Sequence, residues 1–135
     1  MVRAVIDTNV LISALIRDGK PRKLTLELLN GHTVILSRQM LAELVDVAGR
    51  DKFRVTGSQV ARFLSIMVRM AKIVPDSALF TEVAEDPDDD VVLNAAYAGK
   101  ADYIVTGDKH LLGLNQFKKT RIVTVSQMLD ILTMQ

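Results

Sequence analysis

The chain has 135 residues, of which 49% are hydrophobic and 24% charged, and this composition predicts one globular domain and excludes a disordered chain. It has no cysteine, which excludes disulfides, thiolate metal sites and cysteine nucleophiles. The net charge of +1 divides into +6 over residues 1–75 and −5 over residues 76–135, so a basic part suited to phosphates precedes an acidic part suited to a cation.

Short apolar runs alternate with longer amphipathic stretches along the chain. The runs predict buried strands at residues 3–6, 33–36, 72–74, 103–105 and 121–125. The stretches predict helices at residues 10–16, 22–29, 38–48, 59–70, 91–98, 109–112 and 127–132. Such alternation indicates right-handed βαβ crossovers. We therefore expect one domain over residues 1–135, an α/β/α sandwich around a central parallel sheet of about five strands.

Polar residues precede several of these helices and predict where they begin. Ser37, Ser58 and Ser126 each stand before an apolar-periodic stretch, and Asp86 stands before Pro87. A hydroxyl or carboxylate at that place accepts a hydrogen bond from a free backbone N–H group. We expect all four residues to be N-caps.

The N-terminal apolar run is too short to be an export signal or a membrane span. It is interrupted by Asp7, Thr8 and Asn9 and lacks a small-residue cleavage site. We expect an unprocessed cytoplasmic protein with no membrane partner, and the absence of cysteine is consistent with a reducing compartment.

Four acidic residues lie where predicted strands hand over to helices. Asp7 and Asp108 follow two of the strands, and Glu43 and Asp90 lie near the start of two helices. Parallel sheets collect the carboxyl ends of their strands at one edge, so the four carboxylates are expected to meet in one crevice. Carboxylate oxygens are the ligands that Mg²⁺ and Mn²⁺ prefer. The pattern therefore favours a divalent metal site.

Each acid also has an ordinary structural explanation. Asp7 and Asp108 are placed to cap helices, and Glu43 alone would be a solvated residue on an amphipathic helix. The aspartates of residues 86–90 suit the positive end of a helix dipole, although their mutual repulsion favours a bound cation. The joint placement of the four acids is what favours the metal site.

Four short motifs in register resemble the PIN domain family. They are Asp7-Thr8-Asn9 after the first strand, Ser37 with Glu43 six residues later, the run DPDDDVVLNAA at 86–96, and Val105-Thr106-Gly107-Asp108. The resemblance covers residues 3 to about 125. It is closest to small prokaryotic stand-alone PIN proteins, which are similar to VapC-type toxin ribonucleases.

The resemblance implies an endoribonuclease that hydrolyses single-stranded RNA with Mg²⁺ or Mn²⁺. Its metal ligands and catalytic residues would be Asp7, Glu43, Asp90 and Asp108, and its supporting residues would be Thr8, Asn9, Asp89 and Thr106. Asp89 and Asp90 compete for the third ligand position. We prefer Asp90, because it keeps the 18-residue interval to Asp108 that is expected of the family.

Partners follow from the basic and apolar surfaces. Arg22 and Lys23 belong to the basic part of the chain and are expected to contact RNA phosphates. The apolar residues of the helices at 59–70 and 127–132 exceed what one small sheet covers. The resemblance implies that this surface serves a homodimer and a small antitoxin, as in a toxin–antitoxin pair.

Two other function classes remain open. One is a PIN module that binds RNA or a protein without catalysis. The other is a magnesium-dependent phosphatase or phosphoacceptor domain on a similar sheet. A haloacid-dehalogenase-like enzyme needs a second aspartate two residues after Asp7, where this chain has Asn9, and the residues around Asp7 and Ser37 do not fit a receiver domain.

Overall fold

The computed structural model describes residues 1–134, apart from the side chain of Asp51. The strands are β1 (Arg3–Ile6), β2 (Thr33–Ser37), β3 (Lys72–Val74), β4 (Tyr103–Val105), β5 (Gln116–Phe117) and β6 (Thr120–Val123). The helices are α1 (Thr8–Ile16), α2 (Lys20–Gly31), α3 (Arg38–Ala48), α4 (Gly57–Met70), α5 (Pro87–Ala98), α6 (Lys109–Leu114) and α7 (Val125–Thr133). A short 3₁₀ turn at Asp51–Phe53 joins α3 to α4.

The strands form one sheet in the order β3-β2-β1-β4-β6-β5. All neighbours are parallel except β5, which pairs antiparallel with β6. The predicted α/β sandwich with helices flanking a central sheet is confirmed, but the sheet has six strands rather than about five. The strand missed by the prediction, β5, has two residues, too few to carry a periodic pattern.

The core lies on both faces of the central strands. Ala4, Val5 and Ile6 of β1 are fully buried, as are Ile35 and Ile104 of the neighbouring strands. This burial explains why β1, β2 and β4 read as continuous apolar runs. No helix within residues 1–134 is long and apolar enough to cross a membrane.

Two of the four predicted N-caps are confirmed. The Ser37 hydroxyl accepts the Met40 N–H at 3.2 Å, and the Asp86 carboxylate accepts the Asp88 N–H at 3.0 Å. Ser58 and Ser126 are not caps. The caps of α4 and α7 are Thr56 and Thr124, each in a capping box with a glutamine three residues later. In both cases the reciprocal pair of hydrogen bonds fixes the helix start two residues earlier.

A stability prediction concerns Gly99, the residue that ends α5. A Cβ atom there would lie 2.5 Å from Cγ2 of Ile35, a fully buried residue of β2. We expect Gly99→Ala to lower the free energy of unfolding by about 1–3 kcal/mol, because the clash forces the core apart. Thermal denaturation followed by circular dichroism measures the change.

Gly49→Ala is the matched control for this prediction. Gly49 also ends a helix, and its φ of −76° is close to the −88° of Gly99. A Cβ at Gly49 meets its nearest neighbour, the Val45 carbonyl oxygen, at 3.4 Å, which is ordinary contact. We expect a change within about 0.5 kcal/mol. Equal effects at the two positions would contradict the account of Gly99.

Candidate functional site

The acidic residues lie at the point where the chain reverses its direction across the sheet. Strands β2 and β3 extend the sheet on one side of β1, and the chain then crosses back to place β4 on the other side of β1. Asp7 directly follows β1, and its backbone N–H donates to the Val105 carbonyl at the end of β4 at 2.9 Å. The crevice at such a switch point is where parallel α/β folds bind ligands.

One hydroxyl joins the ends of these two strands. Thr106, which is fully buried, donates to Oδ2 of Asp7 at 2.7 Å. The same hydroxyl oxygen accepts the backbone N–H of Asp108 at 3.0 Å. Thr106 therefore fixes the separation between Asp7 and Asp108.

Asp7 is not an ordinary helix cap. It stands at the N-cap position of α1, but its side chain makes no capping hydrogen bond. Burial raises the pKa of Asp7, and the negative charge of Asp108 raises it further. The Thr106 hydroxyl opposes this rise, and so do the nearby backbone N–H groups of Thr8 and Asn9, although neither N–H group meets the geometry of a capping hydrogen bond. Thr8 is buried beside the site, whereas the Asn9 side chain is exposed.

Asp108 combines a structural role with a place in the crevice. Its Oδ1 accepts the backbone N–H groups of His110 at 2.7 Å and Leu111 at 3.4 Å, which caps α6. The ordinary explanation for this residue is thus correct. Only one carboxylate oxygen takes part in the cap, and the residue is half-buried next to Asp89.

Among the acids of the crevice, Asp89 has the most strongly raised pKa. It is only 5% exposed, and its Oδ2 atom has no hydrogen-bond partner. Burial, the charge of Asp108 and a hydrogen bond shared with the Asp108 carboxyl raise the pKa of Asp89 to about 7. When both carboxyls are ionised, their like charges repel each other across the crevice.

Asp90, the residue preferred from sequence, faces a loop and not the other acids. Its Oδ2 accepts the Glu82 N–H and its Oδ1 accepts the Ala84 N–H, each at 2.9 Å. Both oxygens therefore fasten the connection between β3 and α5 onto α5. The structure brings Asp89, and not Asp90, toward Asp7 and Asp108.

Glu43 approaches the same crevice from α3. It is half-buried, and burial raises its pKa, followed in effect by the charges of Asp88, Asp7 and Asp86. The positive charge of Arg50, just after the end of α3, lowers the pKa of Glu43. The dependence on Asp7 places Glu43 within electrostatic reach of the strand ends, as expected from sequence.

The residues of the crevice fit a hard divalent cation. The donors are carboxylate oxygens, and the unpaired Asp89 Oδ2 is a buried acceptor that a cation would satisfy. Among the residues described, no group of three His, Asp or Glu side chains is close enough to enclose an ion. Mg²⁺ commonly keeps several water ligands and binds through one or two carboxylates, so the arrangement suits it.

The two histidines lie outside this set of acids. The Nδ1 atom of His32 accepts the Val2 N–H at 2.9 Å, which is a structural contact at the start of β1. His110 is exposed and lies 3.1 Å from the carboxylate of Glu85. Both histidines therefore make their contacts outside the acidic crevice.

The two residues predicted to contact RNA differ in their surroundings. The Arg22 guanidinium donates to the carbonyl oxygens of Ala14 at 2.8 Å and Leu15 at 3.0 Å, so it holds the end of α1. Lys23 is exposed. Neither lies at the ends of β1 and β4, and their contact with RNA stays a prediction.

One structural residue near the site escaped sequence reasoning. Asn94, buried on α5, accepts the Phe80 N–H at 2.9 Å and donates to the Phe80 carbonyl at 2.7 Å. Together with Asp90 it fastens the 80–84 loop that leads into the acidic run. The sequence indicates this role only through the position of Asn94, one helical turn after Asp90 and therefore on the same face of the helix.

Comparison with known proteins agrees with this geometry. The PIN domain family model matches residues 3–110. The uncharacterized protein MJ1680 of Methanocaldococcus jannaschii is 35% identical over 124 residues, which cover 87% of this chain and 78% of that protein.

Two solved structures are similar in fold. One is VapBC2 from Rickettsia felis bound to a DNA fragment from its promoter, with a TM-score of 0.62, 18% identity and coverage of 90% of this chain and 98% of that chain. The other is PAE2754 from Pyrobaculum aerophilum, with a TM-score of 0.61, 16% identity and coverage of 99% and 91%. The family model matches most of the chain, and both solved structures share its fold. This chain belongs to the PIN domain family.

Proposed function

We propose that the protein is an endoribonuclease that uses Mg²⁺ or Mn²⁺ to hydrolyse single-stranded RNA. PIN domains are generally nucleases that use divalent metal ions. The observation that carries the proposal is Asp89, a buried carboxylate with an unpaired oxygen beside two further acids. Uncompensated negative charge of that kind destabilises a fold, so its presence favours a bound cation.

The proposed ligands are Asp7, Glu43, Asp89 and Asp108, with Asp89 in place of Asp90. A bound divalent ion would lower the pKa of a water molecule and neutralise charge on the phosphate that is attacked. The protein's own part is to hold the carboxylates in position. Thr106 does so for Asp7 and Asp108, through the two hydrogen bonds that its hydroxyl makes.

The loop before α5 positions the remaining acid. Asp90 and Asn94 hold the loop by its backbone, and Asp86 caps α5. These contacts set the start of the helix and therefore the direction in which Asp89 points. In this arrangement Asp90 is a positioning residue and Asp89 is a ligand.

The partners proposed for this chain are a second copy and a small antitoxin. The similarity in fold to VapBC2, which was solved bound to a DNA fragment from its promoter, supports this proposal. Leu26, Val68 and Met70 are large apolar residues that are 44–55% exposed on α2 and α4, and they supply a surface for such partners. Light scattering at micromolar concentration tests the dimer, because a mass equal to the 14.9 kDa of one chain at every concentration would contradict it.

Cleavage of labelled single-stranded RNA by purified protein tests the function. We expect cleavage with Mg²⁺ or Mn²⁺, none in EDTA, and recovery when the metal is restored, because the carboxylates alone supply no nucleophile. The products are expected to have 5′-phosphate and 3′-hydroxyl ends. Full cleavage in EDTA would contradict the mechanism. Metal-independent binding of RNA without cleavage would favour the non-catalytic module.

A further inference from the structure

A groove of about 700 Å³ lies at the opposite edge of the sheet from the acids. Tyr97, Lys100 and Asp102 line it on one side, and Lys118 and Lys119 line it on the other. These residues belong to the end of α5, the start of β4 and the turn between β5 and β6. We call this set the lysine groove.

Positive charge is concentrated at the lysine groove. Residues 76–135 contain five Lys and Arg residues, and four of them, Lys100, Lys118, Lys119 and Arg121, lie in or beside it. All four are exposed. One carboxylate, Asp102, lies on the rim, where it accepts the backbone N–H of Arg3 at 2.9 Å. The four positive charges therefore exceed the negative charge of the groove. Most of the cations of residues 76–135 therefore lie at the end of the molecule remote from the acidic crevice.

Two of these lysines have backbone conformations that favour glycine. Lys100 has φ 53° and Lys118 has φ 56°. Lys100 follows the C-cap of α5, and Lys118 begins the two-residue connection between β5 and β6, both positions where glycine or asparagine is usual. Lysine at these two positions carries backbone strain that glycine would not, and both lysines line the groove.

Aromatic rings adjoin the lysines. The ring of Phe80 lies 4.8 Å from that of Tyr97 and 5.1 Å from that of Phe117, both edge to face. The Lys118 ammonium lies 5.3 Å from the centre of the Phe80 ring. Tyr97 is 48% exposed, so one part of its ring remains open to a ligand. Lysines beside an open aromatic ring are the combination that binds single-stranded nucleic acid.

We propose that the lysine groove binds the RNA strand at a distance from the cleavage site, with phosphates on Lys100, Lys118 and Lys119 and a base stacked on Tyr97. This inference rests on the proposed function. Helix α5 connects the two places, since Asp89 lies in its first turn and Tyr97 in its last. Tyr97 follows Asp89 by eight residues on this helix, a rise of roughly 12 Å that corresponds to about three to four nucleotides of a stacked strand.

Binding of a fluorescent 12-nucleotide single-stranded RNA in EDTA tests the proposal separately from catalysis. We expect Lys100→Gly and Lys118→Gly each to weaken binding about fivefold at 0.1 M salt and to reduce the salt slope by about 0.7, the loss of one phosphate contact. Glycine relieves the positive φ at both positions, so the melting temperature should stay the same or rise. Lys72→Ala, an exposed lysine on β3 at the far side of the sheet, is the charge-matched control and should change neither affinity nor slope.

Unchanged binding in both glycine variants would overturn the inference, whether or not the protein cleaves RNA. An equal loss in Lys72→Ala would overturn it too, because the effect would then reflect net charge alone. Weakened binding in the glycine variants of a protein that cleaves no RNA would support the lysine groove and contradict the proposed function. In a protein that does cleave, a three-nucleotide substrate should be cut equally well by all variants, because it is too short to reach the groove.

Discussion

Asp89→Asn is expected to reduce RNA cleavage on the order of 100-fold or more while stabilising the metal-free protein. The activity falls because a proposed metal ligand is lost. The stability rises because burial and the neighbouring acids raise the pKa of Asp89 from 3.8 to about 7. The folded protein therefore binds this proton more tightly than the unfolded chain, and its stability decreases as pH rises between those two values.

The gain in stability should follow the same pH window. At pH 8 in EDTA, where wild-type Asp89 is ionised, we expect Asp89→Asn to raise the free energy of unfolding by about 1–3 kcal/mol. The gain should shrink toward pH 5, where the wild-type carboxyl is protonated. Thermal unfolding across this range measures the effect. A variant that is less stable than wild type at pH 8 would contradict the account of an uncompensated charge.

Asp90→Asn is the matched comparison, since it makes the same chemical change at the adjacent residue. The two carboxylate oxygens of Asp90 accept the backbone N–H groups of Glu82 and Ala84. An asparagine amide has only one acceptor oxygen, so its NH₂ group would face one of these N–H groups and leave it unpaired. We expect a loss of about 1–3 kcal/mol in stability at every pH, and cleavage within about tenfold of wild type below the melting temperature. If Asp90→Asn were inactive and Asp89→Asn active, the assignment made from sequence would be restored.

The fold was largely predictable because its strands are buried on both faces. The prediction of β1, β3 and β4 matches the structure at both ends, since short apolar runs between polar residues leave little choice of boundary. The gathering of Asp7 and Asp108 was predictable for a related reason. Parallel strands end at one edge of the sheet, and both residues follow such strands directly.

The orientation of the third acid was not predictable in the same way. Adjacent residues on a helix point about 100° apart, so the choice between Asp89 and Asp90 depends on the rotation of α5. The loop before α5 helps to set that rotation, because its backbone N–H groups need acceptors and Asp90 supplies them. Nothing in the order of residues 80–90 states which aspartate serves the loop.

The lysine groove depends on contacts between residues distant in sequence. Lys100 follows the C-cap of α5, and Lys118 lies in the turn between β5 and β6. Because β5 was not predicted, the turn that places Lys118 beside Phe80 was not predicted either. The excess of positive charge before residue 76 predicted RNA contacts at Arg22 and Lys23 instead.

The positioning of the acids is testable through Asp7 and its hydroxyl partner. We expect Asp7→Asn to lower the cleavage rate on the order of 100-fold or more, because a proposed ligand and its charge are lost. Thr106→Val should lower it by about 10–100-fold, since the valine leaves Asp7 Oδ2 without its donor and the Asp108 N–H without its acceptor. Thr106→Ser keeps the hydroxyl and should stay within severalfold of wild type.

A pH profile distinguishes loss of positioning from loss of stability in this series. The Thr106 hydroxyl lowers the pKa of Asp7, so its removal leaves that pKa higher. The ionised ligand then forms only at higher pH, and the acidic limb of the cleavage profile in Thr106→Val should move to higher pH, with Thr106→Ser restoring it. A valine variant that is slower but has an unshifted profile would show that Thr106 only maintains the fold. A serine variant as slow as the valine variant would contradict the role of the hydroxyl.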